Sequence, residues 1–192
     1  MKAARRLSAL RFGKPRRSDP APEPAAICYE IFKERIGRRW SFAPVPGEEI
    51  CNDLTLFHDA GNSLFYWSQG RAPSLVLTTY QFLGTYVSLA AGMPAATVAS
   101  LGPGSRIDVK MKITSTRPLT TFLRLNLDLP EGRELLHETL VIDRSDKHAR
   151  FDLAGARGSV DSARNAWLDI IFSDPSMSEI AIKDLQLNVC ND

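Results

Sequence analysis

The chain has 192 residues, 44% of them hydrophobic, enough for one packed domain with a sizeable core plus an extension. Its net charge of +2 is uneven: residues 1–17 hold seven Lys and Arg and no acid, so the remainder carries −5 and is a poor general binder of nucleic acid. No stretch nears the ~20 apolar residues of a membrane-spanning helix, and no apolar run follows the basic start as in a signal peptide.

Lys2, Arg5, Arg6, Arg11, Lys14, Arg16 and Arg17 make up the basic segment. Ala3, Leu7 and Leu10 give it one weak helical stripe. Residues 1–24 are therefore expected to form a flexible basic arm and linker, ending in the Pro-rich SDPAPEPA. The arm reads either as a solvated tail or as a segment that rests on a partner or an anionic membrane surface. It is also arginine-rich and acid-free, as organellar transit peptides are. Cys28, Cys51 and Cys190 are scattered and form no CxxC, which fits reduced thiols in a reducing compartment. The expected location is the cytoplasm; the second reading of the arm would add peripheral contact at the inner membrane.

Ile27, Ile31, Phe32 and Ile36 recur at helical spacing before Gly37, and predict a short helix over about 25–37. With the irregular SFAPVPGEE after it, this makes a docked segment at 25–48. From residue 49 the period becomes two. Ten strands are predicted: EICNDLTLFH, SLFYWSQ, SLVLTTYQF, GTYVSLAA, SRIDVKMKITS, LTTFLRLNLDL, RELLHETLVI, KHARFDLA, NAWLDIIFS and SEIAIKDLQLNV. Two alternate cleanly, with Ile107, Val109, Met111 and Ile113 on one face of the first, and Leu123, Leu125, Leu127 and Leu129 on one face of the second. The connections are too short for crossover helices, so a parallel α/β sheet is excluded. The expected class is mainly β, a jelly-roll-like antiparallel sandwich over 49–192.

The last strand breaks phase. Ile180 and Ile182 share one parity, Leu185, Leu187 and Val189 the other, and Asp184 sits at the slip. A carboxylate there either caps N–H groups left unpaired by a β-bulge or joins backbone carbonyls around a structural Ca²⁺; no other cofactor is expected.

AWLDIIFSDPSMSEIAIKDLQL resembles the closing hairpin of the galactose-binding-like jelly rolls, a group that includes many carbohydrate-binding modules. LTLFHDAG, YQFLGTYVSLAAGMP, RPLTTFLRLNL, ARFDLA and that hairpin, across roughly residues 40–189, resemble in order an uncharacterised alphaproteobacterial family of unknown function. The resemblance implies a jelly roll and a bacterial source, and no activity. The arm here is shorter than the charged helical N-terminal region of that family.

No P-loop, nucleophile elbow, HExxH or CxxC is present. His58 and Asp59 are adjacent at a strand end, where neighbours point apart, so a turn-capping pair is expected rather than a catalytic relay. Asp108, Asp128, Glu138 and Asp169 all fall on strands; glycosidic cleavage would need two of them facing one cleft ~5–10 Å apart. Sugars stack on Trp or Tyr and hydrogen-bond to planar polar side chains. Tyr66, Trp67, Gln69 and Arg71 offer one such cluster, and Phe122, Arg124 and Asn126 on one strand face offer another. The alternative is that Trp67 is core and that Arg124 and Asn126 are an ordinary wet face. Trp167, inside AWLDIIF, reads as core. The leading expectation is a non-catalytic binding module for a glycan or other polar ligand. A protein-interaction domain tethered by its arm comes second, and a carbohydrate-active enzyme third.

Overall fold

The computed structural model describes residues 26–29, 32, 40–61, 63–70, 72–143 and 145–191. The seven cations of the arm and Arg71 lie outside these residues, as does most of the span 30–39. The described residues form thirteen strands: β1 (Ala26–Cys28), β2 (Trp40–Phe42), β3 (Glu48–Cys51), β4 (Leu54–His58), β5 (Leu64–Gln69), β6 (Leu75–Gln81), β7 (Tyr86–Gly92), β8 (Ser105–Ser115), β9 (Leu119–Leu129), β10 (Gly132–Ile142), β11 (Lys147–Asp152), β12 (Asn165–Ser173) and β13 (Ser178–Asn191). The first sheet runs β11-β8-β13-β6-β5-β2, with β1 also on β13, and the second runs β10-β9-β12-β7-β4-β3. Every pairing is antiparallel. From β6 onward the chain passes repeatedly between the sheets, which gives the jelly-roll sandwich expected from the alternation. Among the described residues no helix is long and apolar enough to cross a membrane.

The core lies between the sheets and follows the period-two pattern. The inward residues Ile107, Val109, Met111 and Ile113 of β8 face Leu123, Leu125 and Leu127 of β9 and Leu168, Ile170 and Phe172 of β12, all 0–1% exposed. The N-terminal part differs from expectation. Residues 26–28 pair with Gln186, Leu187 and Asn188 of β13 as a strand, where a helix was expected to begin. Tyr29 then anchors that strand: it is buried, and its hydroxyl donates to the Gly92 carbonyl at 3.0 Å. Three residues are too few for a period to show. With β2, this brings into the first sheet residues expected to lie outside the sandwich. EICNDLTLFH is likewise two strands, turning at Asn52 and Asp53, with Asp53 at a left-handed φ of 61°.

The slip at Asp184 is a β-bulge. On the β8 side, Ile182 pairs Ile113 and Asp184 pairs Lys112, so Lys183 is the extra residue. The bulge carries Leu185, Leu187 and Val189 back onto the buried face of Ile180 and Ile182, so the two apolar sets share one face. On its other edge β13 exchanges neighbours here, from β6 up to Ile182 to β1 from Gln186. Asp184 does not cap the bulge; its carboxylate accepts the Gln186 side-chain amide at 2.8 Å. Among the described residues no three His, Cys, Asp or Glu side chains are grouped to hold a metal ion. Asp184→Ala is therefore expected to cost less than about 1 kcal/mol, one half-exposed hydrogen bond, in a thermal melt that EDTA leaves unchanged. A chelator-sensitive midpoint would favour the Ca²⁺ reading.

Candidate functional site

The outward face of the second sheet carries a groove of about 510 Å³. Its geometry follows from register. Antiparallel neighbours bring Leu135, Asn126 and Trp167 into one row, with Arg124, Asp169 and Ala90 in the next and Phe122, Ile171, Ser88 and Phe57 beyond. Ser88 and Ala90, in the middle of β7 on this face, are small, so the surface dips between larger neighbours. Trp167, Leu135 and Arg133 line one end, and Phe57, Tyr86 and Ile171 the other.

The polar centre is a three-residue cluster from two adjacent strands. Arg124 donates through Nε at 2.9 Å and Nη2 at 2.7 Å to Asp169 Oδ2. Asn126 Nδ2 donates to the same oxygen at 3.0 Å and to the Arg124 carbonyl at 3.0 Å. Both partners of that amide are acceptors, which fixes the amide orientation. Asn126 is 1% exposed and Asp169 6%. Among the described residues, Asp169 Oδ1 and Asn126 Oδ1 accept no hydrogen bond. The groove therefore presents preset acceptors beside a guanidinium and three aromatic rings.

The expected candidates divide. Arg124 and Asn126 line the groove, and Phe122 borders it on the same face, 39% exposed. Trp67 is core, 4% exposed, with its indole N–H donating to Glu48 Oε1 at 2.8 Å, so it offers a ligand nothing. Tyr66 lies on the outward face of the other sheet, between Phe42 and Tyr80, and Gln69 is half-buried at the end of β5. The first cluster therefore does not assemble with the second. Trp167, expected in the core, faces outward into the groove with Asp169. The carboxylates also separate. Asp108 is on the first sheet, ion-paired with Arg150 at 2.8 Å and Arg106 at 3.6 Å. Burial pushes its carboxyl up, but the Arg150 hydrogen bond and both charges outweigh that and hold it below its ordinary range. Asp128 stands on the groove's sheet, opposite Arg133, and Glu138 is exposed on β10.

FHDAG supports the groove from one end. The side chains of His58 and Asp59 point apart, as expected. His58 Nε2–H donates to the Pro44 carbonyl at 2.8 Å, and Nδ1 accepts the Ala60 N–H at 3.2 Å. The Asp59 carboxylate accepts the backbone N–H groups of Thr85 at 2.8 Å and Tyr86 at 3.1 Å, fixing the start of β7 beside the groove. Gly84 permits that approach; a Cβ there would lie 2.3 Å from Asp59 Oδ1 and 2.9 Å from the Ala60 nitrogen. Desolvation pushes the Asp59 carboxyl up, but the Thr85 hydroxyl and the Tyr86 and Thr85 amides hold it below its ordinary range. Its stabilising effect is thus present above the unfolded value, about 3.9, and is lost as pH falls through the lower folded value. The melting-point gap between wild type and Asp59→Asn is expected to be constant from pH 7 to 5 and to close below about pH 4. A gap that widens on acidification would contradict this.

A protein family of unknown function, DUF6478, matches residues 1–190. The chain belongs to this family. The match is wider than the 40–189 stretch from which the resemblance is read, and it includes the basic segment. No curated protein matches. Solved structures similar to this DUF6478 chain include a xylan-binding domain from CBM 22, at 11% identity, covering 88% of this chain and 97% of the other, with a TM-score of 0.48. The C-terminal family 22 carbohydrate-binding module of Clostridium thermocellum Xyn10B is similar at 10% identity, over 91% and 96%, with a TM-score of 0.47. The family 11 carbohydrate-binding module of the same organism, in complex with a β-1,3-1,4-mixed-linked tetrasaccharide, is similar at 10% identity, over 84% and 94%, with a TM-score of 0.43.

Proposed function

We propose that this chain is a non-catalytic glycan-binding module whose ligand lies across the outward face of the second sheet. One observation carries the reading: a half-exposed Trp167 and the hydrogen-bonded Arg124–Asp169–Asn126 cluster line the same open groove. A sugar presents apolar C–H faces that stack on an indole and hydroxyls that pair with fixed acceptors and a guanidinium. Asp169 and Asn126 are already held in place, so binding pays little to order them. Among the described residues the groove lining contains one carboxylate, Asp169, and Arg124 and Asn126 engage it. Glycoside hydrolysis uses a pair of carboxyls flanking the bond, which this lining does not supply.

A protein partner is the second reading, and it is favoured by a different surface. Phe42 (66% exposed), Leu64 (64%) and Tyr80 (56%) stand on the outward face of the first sheet, with Tyr66 in ring contact with Phe42 and Tyr80. An exposed apolar patch of this kind suits a protein surface. Affinity electrophoresis through gels containing soluble polysaccharides tests the first reading. Wild type is expected to be retarded by at least one polymer, and Asp169→Asn to run as in an empty gel. Equal retardation of the two proteins would remove the groove from the account.

A further inference from the structure

The charge of the groove bears on which sugars it takes, an inference that rests on the glycan reading above. Among the described residues, two arginines and one aspartate line it. Asp169 is matched by Arg124. Arg133 is exposed and makes no ion pair among the described residues, although Asp128 is its cross-strand neighbour. Its guanidinium carbon instead lies 4.8 Å from the centre of the Trp167 ring. The unmatched cation thus covers the largest aromatic ring of the groove, the surface on which a sugar would stack.

This placement treats neutral and acidic sugars differently. A neutral sugar must displace the cation from the ring and offers it no new partner. A sugar bearing a carboxylate displaces it and also supplies an anion, which the planar guanidinium can grip with two parallel hydrogen bonds. We propose that the groove selects glycans containing uronic acid, with Trp167 stacking on the sugar ring and Arg133 pairing with the carboxylate.

The test uses the full chain and paired probes: oligogalacturonate, alginate oligomers and glucuronoxylan, each beside its carboxyl-reduced neutral form, titrated by calorimetry at two salt concentrations. At least one acid is expected to bind about tenfold or more tightly than its reduced form, the increment of one charge-assisted contact. That preference is expected to shrink as salt screens the exposed charge. Arg133→Met, a surface change that leaves the core intact, is expected to erase the preference for the acid form, because the carboxylate loses its guanidinium partner. Equal binding of acid and neutral forms by wild type, or a preference that survives in Arg133→Met, overturns the uronate inference and leaves the glycan reading standing. Binding of neither form of any pair, with every soluble polysaccharide in the gel assay also failing to retard the protein, overturns both.

Discussion

Phe172→Ala is expected to destabilise the protein by about 3–5 kcal/mol, which corresponds to a fall in melting temperature of roughly 6–20 °C for a chain of this size. Phe172 is fully buried at the end of β12, on the inward face shared with Ala166, Leu168 and Ile170. Alanine removes the ring and leaves a cavity between two sheets that cannot close fully. Ile171→Ala, one residue away on the half-exposed face, is expected to cost much less. Equal losses at the two positions would mean that the register of β12, and hence of the groove, is wrong. The same strand builds core with one parity and groove with the other.

The second large effect is at Asp169. Asp169→Ala is expected to cost about 1–3 kcal/mol, because the buried Asn126 amide loses an acceptor that water does not readily replace. Arg124 adds little to that cost, since its side chain is 40% exposed and rehydrates. Polysaccharide binding is expected to disappear altogether, as both the acceptor and the fixed guanidinium are lost. Asp169→Asn separates the two effects: it keeps an oxygen for hydrogen bonding and most of the stability, but not the charge that holds Arg124. Normal binding by a folded Asp169→Asn would place the ligand elsewhere.

The jelly-roll sandwich was legible because β8 and β9 alternate without interruption, and a two-sided sheet needs that alternation. The bulge was legible for the same reason, since only an inserted residue reconciles the two parities of β13. Its consequence was misread: the slip returns the apolar residues to one face and leaves Asp184 a minor role. One tryptophan is placed differently: Trp167 reads as core but lines the groove. In LFYWSQ both parities are bulky, so alternation alone could not show that Phe65 and Trp67 point inward. In AWLDIIF the signal was present, because Trp167 shares its parity with Asp169, and an acid marks the wet face. The cluster itself was half legible. Arg124 and Asn126 share one parity of an evident strand, but Asp169 is 45 residues from Arg124 in sequence. Only the pairing of β9 with β12 brings them together. The strands β1 and β2 were missed because three residues cannot establish a period.

The most direct test of the groove is a polysaccharide microarray probed in parallel with the wild-type full chain and with Trp167→Ala. The indole is half-exposed and outside the core, so the variant is expected to fold with a nearly unchanged melting temperature. Base–aromatic and sugar–aromatic stacking draw on the same dispersion and apolar-burial physics, and loss of one ring is expected to weaken binding by about tenfold or more. The wild type is expected to mark at least one polysaccharide, and Trp167→Ala none of the same spots. Identical patterns from the two proteins, or a wild type that marks nothing, would contradict the assignment of this face as a glycan-binding groove.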